Sequence, residues 1–488
     1  MSTGEAPPRL EKRLGSALGW LYLTQYSGKL LVFLSVAILA RLLTPDDFAL
    51  VAISLALIVF IDSLEVGVGS ALIYLDRDEA ARCADTAFTL HLSMALVAAT
   101  GFALAAPSIA SLYGDDRLEW VIRLLALNLV LRALGQTHEN LLRRDLDFRR
   151  RLIPEVGSGM SKGVSSVVLA LAGAGVWALV AGQLIGSAAR ALLLWIRVPF
   201  RPRLDFGRGG KARRLLAYGL PLLAHAVLGA IAINADYLVI GGVLGVTAVG
   251  FYVIAYRIPQ LIFQEAFGQI HLALFPYYSR SREQGDDVGG PYFATVRIVS
   301  MLVIPFLVPL MVLAGPAVHV VFGPQWDESA RILPGLALGA AMVAVGGLSG
   351  DLFKARGLHR VLPLVALSFV VVWLPTLILV APRGTEVVAW SWSAAALGWT
   401  LLYWTLARRY LQIGLLDHAR AVAPAIGTGL VAAGTAAIAL ATLPQTAALF
   451  AGTAAVVVVW ALLAPVVNPE ARRALTMLRR RRAAAGAL

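Results

Sequence analysis

Polar and charged side chains at helical spacing inside otherwise apolar stretches are the residues of this sequence that can do chemistry. Between 248 and 276, Arg257, Gln260, Gln264, Gly268 and His271 recur at steps of three or four, which puts them on one face of a helix. The pattern returns as His225, Gly229, Ala232 and Asp236 between 215 and 240, and as Glu155, Ser158, Lys162 and Ser165 between 152 and 172. Asn128, Arg132, Gln136 and Glu139 repeat it between 118 and 141, Tyr22, Gln25 and Lys29 in the first apolar run, and Asp62 and Glu65 share a further face. Amides and hydroxyls in such stripes match sugar hydroxyls. Lys29 and Arg257 can meet a phosphate-bearing head, Arg with paired N–H donors and Lys as a point charge. Gln25, Gln260, Gln264, His271, Arg132 and Lys162 complete the candidate binding set. Asp236 and Glu265 are carboxylates inside apolar runs. The other reading of every stripe is helix packing through interhelical hydrogen bonds or salt bridges.

The elements that must position these residues are membrane spans. Hydrophobic residues make up 59% of the 488 and charged residues only 15%, against about 25% in an ordinary soluble chain. Mean hydropathy is +0.76. The run from 16 to 43 exceeds the ~20 residues that cross a bilayer and is too long for a cleavable signal peptide. Its end, "LARLLTPDDFALVAISL", then reads as a water-facing hairpin at 44–47. The expected fold is all-α and polytopic, with about 14 transmembrane helices at 16–42, 49–75, 84–112, 118–141, 152–172, 176–198, 215–240, 248–276, 292–321, 329–353, 360–380, 385–407, 420–443 and 446–468.

Charge supplies the orientation. Most of the 42 Lys and Arg fall at the N-terminus, in alternate loops and in the tail "RRALTMLRRRRAAA", while Arg41, Arg117 and Arg383 alone occupy the opposite loops. The positive-inside rule then places both termini in the cytoplasm. The net charge of +13 is accordingly a topology and membrane-lipid signal, and no basic face interleaved with aromatics points to nucleic acid. Trp390, Trp392, Trp399 and Trp404 lie near span ends, where an interfacial belt suits them better than sugar stacking. The single cysteine, Cys83, allows no intramolecular disulfide, and no Cys/His cluster has metal-ligand spacing.

The stretch "RVPFRPRLDFGRGGKARR" separates six spans from eight. Sliding the first half by 201 residues pairs Gly28 with Gly229, Leu43 with Leu244, Ile53 with Ile254 and Gly67 with Gly268, and lays the 44–47 hairpin on 245–248. Two lobes related by an axis along the membrane normal are a recurrent transporter plan. The expected organisation is a cytoplasmic segment 1–15, an N-lobe 16–198, a basic linker 199–214, a C-lobe 215–410, two further spans within 411–468 and a basic tail 469–488.

The stretch "FLSVAILARLLTPDDFALVAISLALIVFIDSLEVGVGSALI", 33–73, resembles the N-terminal signature of the polysaccharide (Wzx-like) flippases of the multidrug/oligosaccharidyl-lipid/polysaccharide superfamily. "NADYLVIGGVLGVTAVGFYVIAYRIP", 234–259, resembles their matching second-lobe segment. The resemblance implies two pseudo-symmetric six-helix lobes around a central cavity, two C-terminal helices, and alternating-access export of an undecaprenyl-pyrophosphate-linked oligosaccharide. It also implies a bacterial inner membrane, and a polymerase and glycosyltransferases acting in the same pathway. Some relatives couple to Na⁺ or H⁺, which makes Asp236 and Glu265 the candidates for a coupling ion here, while the absence of a buried carboxylate in spans eleven and twelve departs from the Na⁺-coupled relatives. A membrane glycosyltransferase or polymerase would need a large external loop bearing catalytic groups, whereas the outer loops here are short and their acidic pair, Asp115 and Asp116, suits a turn. No P-loop marks an ATPase. A multidrug or cation antiporter of the same superfamily is the alternative.

Overall fold

A computed structural model describes residues 32–145, 147–207, 210–262, 289–356, 358, 361–468 and 472. Regular structure among them is helical throughout. In chain order the helices are α1 (Val32–Leu42), α2 (Pro45–Tyr74), α3 (Arg77–Tyr113), α4 (Arg117–Arg144), α5 (Phe148–Leu171), α6 (Val176–Arg197) and α7 (Lys211–Leu244). There follow α8 (Val246–Ile262), α9 (Gly289–Val312), α10 (Ala314–Val321), α11 (Asp327–Ala355), α12 (Val361–Val380), α13 (Thr385–Leu411), α14 (Leu415–Thr442) and α15 (Gln445–Val467). Among the described residues, 8 helices are long and apolar enough to cross a membrane, which makes this a multi-pass membrane protein.

The hairpin at 44–47 is built by its own side chains. Asp47 N–H donates to Thr44 Oγ1 (3.3 Å), Thr44 N–H donates back to Asp47 Oδ2 (3.0 Å), and Pro45 occupies the first turn of α2. This capping box satisfies otherwise orphaned donors and starts the helix sharply. The expected span 292–321 is two helices. Pro316 has no N–H to continue the ladder past Val312, and the chain bends at Leu313 between α9 and α10.

By packing, the chain divides into two compact units, Met1–Gly250 and Phe251–Leu488. In the first, α5 lies on α6, α3 on α4, and α2 on α4 and α7. One end of this unit carries the tight turns. There Thr247 Oγ1 donates to Asp46 Oδ1 (2.6 Å), Tyr113 O–H donates to the Leu238 carbonyl (3.1 Å), and Gly250 rests on the backbone of Pro45, where a Cβ would strike the carbonyl oxygen. Gly245, at φ +90°, makes the turn from α7 into α8. The other end is basic and bears the segment between α6 and α7, tied down on α3 and α4.

In the second unit α11 packs on α13 and α9, and α14 on α9 and α15. A buried polar chain joins three of these helices. Ser349 and Tyr292 hydroxyls are 2.8 Å apart, Tyr292 O–H lies 2.9 Å from His418 Nε2, and His418 Nδ1–H donates to the Gly414 carbonyl (2.8 Å). Trp404 stacks on the His418 ring at 4.9 Å.

Candidate functional site

The α8 stripe is the centre of the candidate site. The first turns of α8 are anchored: Ser329 Oγ donates to the Phe251 carbonyl (2.7 Å), Phe251 meets Trp326 edge to face, and Tyr256 meets Trp392 at 5.8 Å. Arg257 follows, half-buried, with its Nε buried and without a hydrogen-bond partner among the described residues. Gln260, one turn on, is also half-buried. A buried guanidinium N–H calls for an acceptor, and none of the described residues supplies one to Arg257 Nε. Gln264, Glu265 and His271 lie outside the described residues, as do Gln25 and Lys29, and the side chain of His225 is not described.

The α5 stripe is engaged in packing. Lys162 Nζ donates to Gln183 Oε1 (2.5 Å), Ser158 Oγ donates to the Gly186 carbonyl (2.8 Å), and Ser165 Oγ returns to its own helix. These bonds are possible because α6 presents Gly182 and Gly186 to α5. A Cβ on Gly182 would collide with Ser166 Oγ and one on Gly186 would sit 2.8 Å from Lys162 Cβ. Small residues four apart let two helix backbones approach closely.

Glu139 is enclosed by three arginines from three helices. Arg143 lies at 2.6 Å, Arg190 at 2.7 Å and Arg151 at 3.3 Å, and Arg190 also reaches Glu155 at 3.0 Å. Arg190 is a member of this cluster that the stripe reading passed over. Its signal is plain in the sequence, as a lone cation in the apolar run of α6. Arg132 is half-buried on α4 and engaged with neighbouring groups. Asp236 is buried on α7, where its Oδ1 accepts from the Tyr237 amide (2.9 Å), and it too has further partners.

The tryptophans near span ends serve mainly as packing. Trp392 covers Gly339 and Tyr256, Trp399 meets Tyr403 at 4.7 Å, Trp404 lies on His418, and Trp390 alone of the four is exposed. Trp399 also meets Phe369 of α12 at 6.2 Å, so three of the four rings have an aromatic neighbour on another helix. Outside the spans, Arg117 pairs with Asp115 at 2.7 Å and reaches Asp46 at 3.5 Å. The guanidinium holds the Asp115 carboxyl below its ordinary range, and its own pKa rises in return.

Residues 38–331 match the family Polysacc_synt_3, described as "Polysaccharide biosynthesis protein". The chain is 27% identical over 325 residues to the succinoglycan biosynthesis transport protein ExoT of Rhizobium meliloti (strain 1021), covering 66% of this chain and 65% of that protein. It is 25% identical over 325 residues to the lipopolysaccharide biosynthesis protein WzxC of Escherichia coli (strain K12), with the same coverage. The matched segment thus spans just under two thirds of the length of either relative. Among solved structures, the inward closed conformation of the lipid II flippase MurJ superposes with a TM-score of 0.76 at 13% identity, covering 91% of this chain and 98% of that one. An inward-facing multidrug resistance transporter of the MATE family gives 0.65 at 16%, covering 79% and 94%. The chain belongs to the Polysacc_synt_3 family of polysaccharide biosynthesis proteins and has the fold of the MOP-superfamily transporters.

Proposed function

We propose that the protein is a flippase that moves an undecaprenyl-pyrophosphate-linked oligosaccharide from the cytoplasmic to the periplasmic leaflet of a bacterial inner membrane. Its product feeds assembly of an exopolysaccharide, O-antigen or capsule. The family match over 38–331 carries this reading. In it, Lys29 and Arg257 take the pyrophosphate while Gln25, Gln260 and Gln264 take sugar hydroxyls. Arg257 supports that role with its unused Nε. Alternating access would require the tight-turn end, read as periplasmic from the lysine and arginine count, to open by separating Asp46 from Thr247 and Pro45 from Gly250. An inside-negative potential favours outward movement of an anionic head by about 2.3 kcal/mol per charge per 100 mV, and Asp236 or Glu265 would carry any coupled H⁺ or Na⁺.

The fold likeness to a MATE transporter favours one second reading, a multidrug or cation antiporter. Proteoliposomes separate the two. A flippase exposes a fluorescent pyrophosphate-linked glycolipid to an external glycosidase at a rate that depends on Arg257 and leaves organic cations untouched. Cation-driven drug efflux with no glycolipid movement would replace the flippase reading with the antiporter.

A further inference from the structure

The segment that joins α6 to α7 sorts its side chains by charge. Its acceptors face inward. The Asp205 carboxylate takes hydrogen bonds from Thr86 Oγ1 (2.8 Å), the Gly207 amide (3.0 Å) and Lys211 Nζ (3.0 Å). The Asp205 amide donates to Thr89 Oγ1 (2.9 Å), the Arg203 amide donates to Asp85 Oδ1 (2.9 Å), and His138 Nε2 meets the Phe200 carbonyl at 3.2 Å. The Arg201 guanidinium is bound too, to the carbonyls of Trp195, Val198 and Phe200. These bonds hold residues 198–207 as a strap across α3 and α4.

What it turns outward is of two kinds. Leu204 and Phe206 are 67% and 78% exposed, on either side of the inward Asp205. Arg197, Arg203 and Arg213 are exposed and make no ion pair among the described residues. An ordered loop that presents Phe and Leu to water while withdrawing both of its nearby carboxylates is arranged for an occupant that is apolar and anionic together. The candidate span Val176–Arg197 ends where the strap begins, so the residues that follow it lie next to a bilayer surface, where an apolar and anionic occupant is at hand.

We propose that the strap is a membrane-interface anchor: Leu204 and Phe206 enter the headgroup boundary of the leaflet at the basic end, and Arg197, Arg203 and Arg213 bind anionic phospholipid headgroups there. Rigidity is part of the fit. Because the backbone is already tied by Asp205 and Asp85, little ordering cost falls on lipid binding. The anchor does not depend on what the protein transports.

A single-cysteine reporter tests this on the full chain. Cys83 is buried and is the one cysteine of the sequence, so Cys83→Ser with Phe206→Cys places an environment-sensitive fluorophore at 206 alone. The labelled protein is reconstituted in nanodiscs of phosphatidylcholine, with or without phosphatidylglycerol, and nitroxide lipids report depth. Emission shifted to the blue and quenched by headgroup-region nitroxides, more strongly with phosphatidylglycerol, is the expected result. Arg203→Glu with Arg213→Glu should weaken phosphatidylglycerol retention by roughly fivefold per cation removed while the detergent-solubilised protein melts as before. Aqueous emission without quenching in both kinds of disc overturns the proposal. Shielding that appears only in native membranes overturns it equally and assigns the surface to a protein partner.

Discussion

The polar residues of α5 and the described ones of α8 meet different surroundings. On α5, Glu155, Ser158, Lys162 and Ser165 each find an acceptor or donor in α6 or in their own helix. On α8, Arg257 is held among helices yet keeps a buried Nε with no partner among the described residues. The difference lies in the facing helix. Gly182 and Gly186 bring α6 so close that the α5 side chains must bond across the seam, whereas aromatic contacts from Trp326 and Trp392 fix the start of α8 and leave Arg257 beyond them. Polar periodicity marks a face, and the small residues of the facing helix decide how closely that face is packed.

The largest effect that would break this comparison is at Gly182. Gly182→Leu puts a branched side chain where even a Cβ meets Ser166, and should cost about 3 kcal/mol through overpacking, read as a lower melting temperature and less folded protein in the membrane. Unchanged melting would mean that the α5–α6 seam is looser than described. Arg190→Gln comes next. It strips Glu139 and Glu155 of a shared cation but leaves Arg143 and Arg151 in place, so a loss of about 2 kcal/mol is expected in the same melting assay.

Arg257→Ala should lie on the other side of the comparison. Its Nε forfeits no hydrogen bond, so stability should stay within about 1 kcal/mol of the parent while binding of a pyrophosphate-linked lipid falls about tenfold, with Arg257→Lys retaining part of it. A stable Arg257→Ala protein with full lipid binding would return α8 to the packing class.

The smallest effect concerns the strap. Hydrogen bonds from Lys211, Thr86 and Gly207 hold the Asp205 carboxyl at about 2, below its ordinary 3.8. A carboxyl depressed by folding contributes its stabilisation in full above the unfolded value and loses it as pH falls towards the folded one. Amide exchange at Gly207, whose N–H donates to that carboxyl, corrected for intrinsic rates, should therefore be flat above about pH 4 and quicken from there towards pH 2, and Asp205→Asn should abolish that pH dependence.

Much of the fold was legible in the sequence because water and hydrocarbon sort residues so strongly. Composition alone made the chain a polytopic membrane protein, the polar residues at 44–47 marked a hairpin between two spans, and the lysines and arginines set an expected orientation. Stretches 33–73 and 234–259 carried the family, since they hold both hairpins and the residues around them. Tertiary structure alone decided which polar residues were spent on each other. Whether Lys162 faces a cavity or Gln183, whether Glu139 meets one arginine or three, and whether Asp205 faces water or Thr86 depend on residues tens to more than a hundred positions away. A helical repeat records direction around one axis only, and the distance to the next helix is set by small residues on that other helix.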